Sequence, residues 1–167
     1  MLQCPRCQSN LVKQELGYFC PSCSFSLPFV YRGKRLDETM LSTLLSTGKS
    51  GSSAWIRHDT GRLFFGHLGL TSEMKITLVP HYLSDVHCPL CKEKVLSTPI
   101  GWECVSGDVK VWETVASRKL TEREVRQLFL YGVTEKLDGF VSKETDKRFS
   151  AKLRIDEAGE VVFDFGK

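Results

Sequence analysis

Four cysteines open the chain in two pairs, Cys4-Pro-Arg-Cys7 and Cys20-Pro-Ser-Cys23, with 12 residues between the pairs. Two thiolates spaced this way can aim both sulfurs at one ion. Two such turns close a tetrahedron around zinc, at about 2.3 Å per sulfur. Four thiolates leave no position for water, which marks a structural centre rather than a catalytic one. A redox CxxC pair ordinarily stands singly in a thioredoxin-like βαβ setting, and no such setting surrounds these turns. The segment holds few apolar residues, so metal binding must supply much of its folding free energy. Leu11-Val12 and Tyr18-Phe19 read as short strands leading to and from the ion. The prediction is one zinc on Cys4, Cys7, Cys20 and Cys23.

The same chemistry is half-written a second time. Cys88-Pro-Leu-Cys91 and Cys104 repeat Cys4, Cys7 and Cys20 at an offset of 84, but Gly107 stands where the fourth cysteine would fall. Three thiolates could hold zinc if His87 or Asp108 moved in. His87 adjoins Cys88 and would need awkward geometry, and Asp108 is one residue late. The preferred expectation is a ribbon without metal, folded on Ile100, Trp102, Val109, Val111 and Trp112; a second zinc is left open.

The elements that must carry these modules repeat as well. Leu36, Leu44 and Gly48 recur as Leu120, Leu128 and Gly132 at the same offset. After a slip of one residue, Trp55-Ile56, Phe64 and Leu68 recur as Phe140-Val141, Phe149 and Leu153. A fixed period of this kind signals a tandem architecture. In the second copy Thr121-Glu122-Arg123-Glu124 is a capping box, Val125, Leu128 and Phe129 form a helical stripe, and Gly132 sits where a glycine stops a helix. Strands follow from Gly139, over Phe149–Ile155 in apolar–polar alternation, and over Val161–Phe165 after the Ala158-Gly159 turn. In the first copy Asp37 caps a helix through Leu41, Leu44 and Leu45 that ends at Gly48. A flexible-looking Gly48–Ser53 loop comes next, then strands near 54–58, 63–70 and 75–79. The expected class is α+β: two tandem units, about 1–83 and 84–167, each a small zinc-ribbon-like β module followed by a helix and a three-stranded antiparallel sheet. The expected parts are a ribbon over 1–30, a repeat over 31–83, a degenerate ribbon over 84–112 and a second repeat over 113–167.

Composition narrows the function classes. Of 167 residues, 41% are hydrophobic and 26% charged, which excludes wholesale disorder. No stretch approaches the roughly 20 apolar residues of a bilayer span, and Cys4, Arg6, Gln8 and Asn10 interrupt any signal-peptide core. A soluble, cytoplasmic monomer is expected, where seven cysteines point to metal before disulfides. The net charge is only +3, with the excess in the first half. A divalent ion on four thiolates is itself anionic and cancels part of it, so nucleic-acid binding must come from local patches.

Both units resemble the C-terminal region of bacterial type IA DNA topoisomerases, particularly topoisomerase III-like proteins. The ribbon resemblance rests on Cys4-Pro-Arg-Cys7 and Cys20-Pro-Ser-Cys23. That of the repeat rests on Leu120–Val125, Leu128, Gly132, Gly139-Phe-Val-Ser-Lys143, Phe149-Ser-Ala-Lys-Leu153 and Val161-Val-Phe-Asp-Phe165. The first unit departs from the pattern, with Arg57-His58 in place of the Ser-Lys pair. The resemblance implies modules that bind single-stranded DNA or dock a partner beside a catalytic core. The core itself, with its acidic metal cluster and nucleophilic tyrosine, has no counterpart here: Tyr18, Tyr31, Tyr82 and Tyr131 lie in ribbon, linker or helix patterns.

Single strands are held by cations on phosphates and aromatics on bases. The candidate contacts are Arg6 in the first knuckle, Tyr18 and Phe19 before the second, Tyr31, Arg32, Lys34 and Arg35 after the ribbon, and Arg57 at a strand turn. Phe25, Phe29, Trp55, Phe64 and Phe65 are expected in the core. Lys143, Lys147, Lys152 and Arg154 are expected on solvated strand faces. The alternative is a protein-interaction module that docks RNA polymerase, a topoisomerase-type protein or another DNA-processing complex. An enzyme is not expected: Gly48-Lys49-Ser50 lacks the upstream glycine of a Walker loop and follows a helix, not a strand.

Overall fold

Residues 1–166 are described by a computed structural model, which leaves Lys167, the last residue of the expected second repeat, outside the described residues. The chain divides after His81, two residues before the boundary read from the sequence, because Tyr82 already belongs to a strand of the second unit.

In the first unit, β1 (Val12–Lys13), β2 (Gly17–Phe19) and β3 (Ser26–Pro28) form an antiparallel meander. A Cβ on Gly17 would lie 2.3 Å from the Leu27 carbonyl oxygen, so only glycine lets β2 and β3 close. A small hairpin, β4 (Val30–Tyr31) with β5 (Lys34–Arg35), leads to helix α1 (Glu38–Thr47). Asp37 caps α1 by accepting from the Met40 amide, and Gly48 ends it in left-handed backbone. A second antiparallel sheet, β6 (Ala54–Arg57), β7 (Leu63–Leu70) and β8 (Ile76–Pro80), completes the unit. Leu11, Phe25 and Leu27 of the ribbon share one core with Leu36 ahead of the helix and with Leu41, Leu44, Ile56 and Leu68 of the helix and second sheet, and Cys4 and Cys20 are buried in it.

The second unit repeats the order. Strands β9 (Tyr82–His87), β10 (Lys94–Thr98), β11 (Gly101–Cys104) and β12 (Lys110–Trp112) make a four-stranded antiparallel sheet. Gly101 stands 2.2 Å, measured from its would-be Cβ, from the Val111 carbonyl oxygen, which reproduces Gly17 and Leu27 one period earlier. The hairpin β13 (Thr114–Val115) with β14 (Arg118–Lys119) precedes helix α2 (Glu122–Tyr131), whose Thr121–Glu124 capping box is fully formed. The last sheet is β15 (Leu137–Val141), β16 (Arg148–Ile155) and β17 (Val161–Asp164). Val95, Val109, Val111, Leu120, Val125, Leu128, Phe129, Phe140 and Leu153 form its core around Cys88 and Cys104. The fold is thus α+β, with two helices and several small antiparallel sheets among the described residues.

Three expectations need correction. The Gly48–Ser53 loop is pinned: Ser50 is buried, its amide donates to the Leu68 carbonyl at 2.7 Å, and its hydroxyl accepts from the Leu68 amide at 2.9 Å. Trp55 is 39% exposed, because it stands beside buried Ile56 on a strand and therefore points to the opposite face. Ile100 and Trp112 also face outward. The degenerate ribbon is built on Val95, Val109 and Val111, with Trp102 packed at the edge.

Candidate metal centres and nucleic-acid interface

Both knuckles of the first module bring their sulfurs to one point. Cys4 Sγ lies 3.6 Å from Cys23 Sγ, and Cys7 Sγ lies 3.4 Å from Cys20 Sγ and 3.8 Å from Cys23 Sγ. A tetrahedral zinc with bonds of about 2.3 Å requires sulfurs about 3.8 Å apart, so these residues fit the ion. The first knuckle is shaped by the Cys4 amide donating to Ser9 and the Gln8 amide donating back to the Cys4 carbonyl, with Gln8 in left-handed backbone. Contacts from the Ser9 hydroxyl and amide, with the Cys20 thiol, hold Cys7 down to about 6. The Phe25 amide favours the Cys23 thiolate, but burial and the neighbouring thiols win and push that thiol up to about 12. A divalent ion offsets part of the charge of four sulfurs held in contact, which protons must otherwise do.

In the second module Cys88, Cys91 and Cys104 place their sulfurs within 4.8 Å of one another, also in position to hold a metal ion. The knuckle is retained: the Cys88 amide donates to Glu93, the Lys92 amide to the Cys88 carbonyl, and Lys92 is left-handed like Gln8. Burial pushes Cys88 up to about 11. Burial also acts to raise Cys104, but the Ser106 hydroxyl and the Val109 amide outweigh it and bring that thiol below its ordinary value. His87 is exposed on β9 and is not part of the cluster among the described residues.

The residues expected to grip nucleic acid are mostly engaged within the first unit. Arg6 donates to Ser24 Oγ at 3.4 Å and to the Glu73 carbonyl. Tyr18 donates to Glu38 Oε1 at 3.0 Å and sets its ring edge-on to Phe29. Arg32 pairs with Asp59 and lies over the Tyr31 ring at 5.4 Å. Arg57 donates to the Gly61 carbonyl at 2.8 Å. Phe19 is half-buried opposite Val12 and Ser26, Lys34 is half-buried, and Arg35 is exposed on β5. Of these, Arg6 and Tyr31 line one open groove of about 840 Å³, together with Lys75, Glu73 and Met74.

A different surface assembles in the second unit. Opposite residues of paired strands share a face. The pairs Tyr82–Leu96, Leu96–Glu103, Glu103–Lys110 and Gly101–Trp112 therefore align on the outer side of the β9–β12 sheet. Leu96 is buried beneath, whereas Tyr82 is 40% and Trp112 50% exposed. Each ring carries a lysine: Lys94 lies 5.0 Å from the Tyr82 centroid and Lys110 lies 4.5 Å from the Trp112 centroid. The sequence reading missed this face. Its signal was Val109-Lys110-Val111-Trp112, where burying both valines must turn the lysine and the tryptophan outward. A second aromatic surface is an apolar hollow of about 620 Å³, lined by Phe149, Phe163 and Phe165 with Lys143 beside them.

Comparison with known proteins shows what this geometry is similar to. Residues 106–166 match the C-terminal repeat of topoisomerase. The match takes in Trp112 and Lys110, helix α2 and the β15–β17 sheet, and starts two residues past Cys104. A curated relative, DNA topoisomerase 1 of Bacillus anthracis, is 26% identical over 172 residues, which cover 96% of this chain and 20% of that protein. The chain thus spans about a fifth of the relative's length. No solved structure matches. The resemblance read from the residues of the second unit stands on this repeat, and the relative extends the likeness over the first unit. Among the described residues no helix is long and apolar enough to cross a membrane.

Proposed function

We propose that the chain is a non-catalytic gripping module of the topoisomerase tail kind, which binds single-stranded DNA in the cytoplasm. Its first cysteine module is stapled by zinc on Cys4, Cys7, Cys20 and Cys23. The observation that carries the reading is the outer face of the β9–β12 sheet, where Tyr82 and Trp112 are exposed and each is flanked by a lysine. Bases stack on such rings without regard to sequence, at about 1–3 kcal/mol per base, and the ammonium groups are placed for the adjoining phosphates. The groove holding Arg6, Tyr31 and Lys75 offers the first unit a second point of contact. The mild net charge makes affinity depend on such patches, so binding should weaken steeply with salt.

The test is fluorescence anisotropy of a labelled oligonucleotide, single-stranded against duplex, at rising salt. Single strands are expected to bind in the micromolar range and more tightly than duplex. Trp112→Ala or Tyr82→Ala should each weaken binding about 5- to 150-fold, as the loss of one stacked base implies. Absence of binding at low salt, or binding indifferent to both substitutions, refutes the reading. A second reading, docking onto RNA polymerase or another DNA-processing complex, is favoured by Leu130 and Tyr131, both exposed at the end of α2. It predicts that Leu130→Ala with Tyr131→Ala abolishes polymerase capture and leaves DNA affinity unchanged.

A further inference from the structure

In the first module the fourth corner of the sulfur tetrahedron belongs to Cys23. In the second the chain passes that corner at Gly107, in left-handed backbone that leaves no side chain to donate. The corner is not left apolar. The Ser106 hydroxyl lies 3.0 Å from Cys91 Sγ and 3.2 Å from Cys104 Sγ, and it donates to the Asp108 carboxylate at 2.8 Å. The Val109 amide donates to Cys104 Sγ at 3.3 Å. An oxygen and the carboxylate behind it thus occupy the side from which the missing thiolate would come. Ser106 and Asp108 are exposed, whereas Cys88 and Cys104 are buried and Cys91 is partly so. Three sulfurs converge from below and an oxygen pair closes the site from the solvent side.

We infer that Cys88, Cys91 and Cys104 form a second metal site that exchanges its ion with solvent, with an oxygen donor from the Ser106–Asp108 side completing the coordination. The ion class is a thiophilic divalent cation such as zinc. Three thiolates and one oxygen bind it less tightly than four thiolates. A fourth position on the exposed side also admits water or a competing ligand, as a closed structural site does not. The retained knuckle, with Lys92 held left-handed, keeps the three sulfurs in place for the ion. The second unit has its own apolar core around Val95, Val111, Val125, Leu128 and Phe140, so losing this ion leaves it folded. The first module, poor in apolar residues, depends on its own. The inference is independent of the DNA reading.

The test uses the full chain loaded with zinc, counted by elemental analysis, with release followed by a chromophoric chelator. Two ions per chain are expected, leaving in a fast and a slow phase. Asp108→Ala and Ser106→Ala should speed the fast phase about 10- to 100-fold, the usual effect of removing groups that orient a ligand, and leave the slow phase alone. Cys91→Ser should abolish the fast phase, and Cys7→Ser the slow one. Should Cys91→Ser fail to fold, cobalt substitution in the unaltered chain decides. The second equivalent should give weaker thiolate-to-metal charge-transfer absorption than the first, as three sulfurs in place of four require. A single ion per chain, or two ions leaving in one phase insensitive to Ser106 and Asp108, overturns the inference.

Discussion

Thr134→Val tests the tandem architecture at one atom. The Thr134 side chain is buried, its amide donates to the Leu153 carbonyl at 2.9 Å, and its hydroxyl accepts from the Leu153 amide at 2.9 Å while donating to the Glu135 carbonyl at 2.7 Å. The hydroxyl thus extends the sheet ladder past the end of α2, where the chain is no longer a strand. Valine keeps the shape and removes the oxygen, so the Leu153 amide is left buried and unpaired. That loss costs about 1–3 kcal/mol. Taking about 2 kcal/mol in a unit of this size, the midpoint of thermal unfolding should fall by about 8–16 °C. Trp102 and Trp112 report the second unit, and a Trp55→Phe background removes the first unit's signal. Thr134→Ser keeps the hydroxyl and should recover most of the loss. Ser50→Ala, at the matching position 84 residues earlier, should lower the first unit's midpoint by a comparable amount through the Leu68 amide. A Thr134→Val midpoint within about 2 °C of the parent, or a Thr134→Ser fall as large as the valine's, refutes the argument.

Three other outcomes follow from the same geometry. Arg118 meets Glu124 with two bonds of 2.7 Å in a half-buried setting, which holds the Glu124 carboxyl below its ordinary value. Its contribution is therefore fully present above the ordinary carboxylate range and is lost as pH falls through the lowered value. Glu124→Gln should cost about 1–3 kcal/mol at pH 7 in denaturant titration, and the gap should close towards pH 3. Chelating the zinc proposed for the first site should unfold the β1–β3 module, seen as loss of amide protection over residues 4–28, while α2 and the β15–β17 sheet stay protected. Gly101→Ala should destabilise the second unit by more than 1 kcal/mol, since the added methyl meets the Val111 carbonyl within 2.2 Å.

The sequence carried the backbone plan further than it carried the surface. Caps and stops were legible because their chemistry is local: Asp37, Thr121, Glu124, Gly48 and Gly132 act on amides and carbonyls within one turn. The cysteine clusters were legible because a metal centre fixes ligand type and spacing. The partners of Tyr18 and Arg32 were not legible, because they are nonlocal. Glu38 lies 20 residues from Tyr18 and Asp59 lies 27 from Arg32, and nothing near either residue announces the partner. The Gly48–Ser53 loop looked loose for a related reason: serine and glycine favour disorder until a strand far along the chain supplies the bonds.

The two copies show which parts of the duplicated plan are fixed by physics and which are free to change. Gly17 and Gly101, Gln8 and Lys92, and Ser50 and Thr134 keep their geometry because each answers a backbone demand: a close carbonyl, a left-handed turn, a buried amide. The fourth ligand answers only to the stability of its own module. The first module is a three-stranded meander with short strands, and without Cys23 its sulfurs would be left uncompensated. The pairing that begins β9 belongs to the shared plan, since His87 opposes Lys94 as Gln3 opposes Asn10 one period earlier. The aromatic face is where the copies part, because outward side chains answer to no core: Lys94, Lys110 and Trp112 stand where the first copy has Asn10, Ser26 and Pro28.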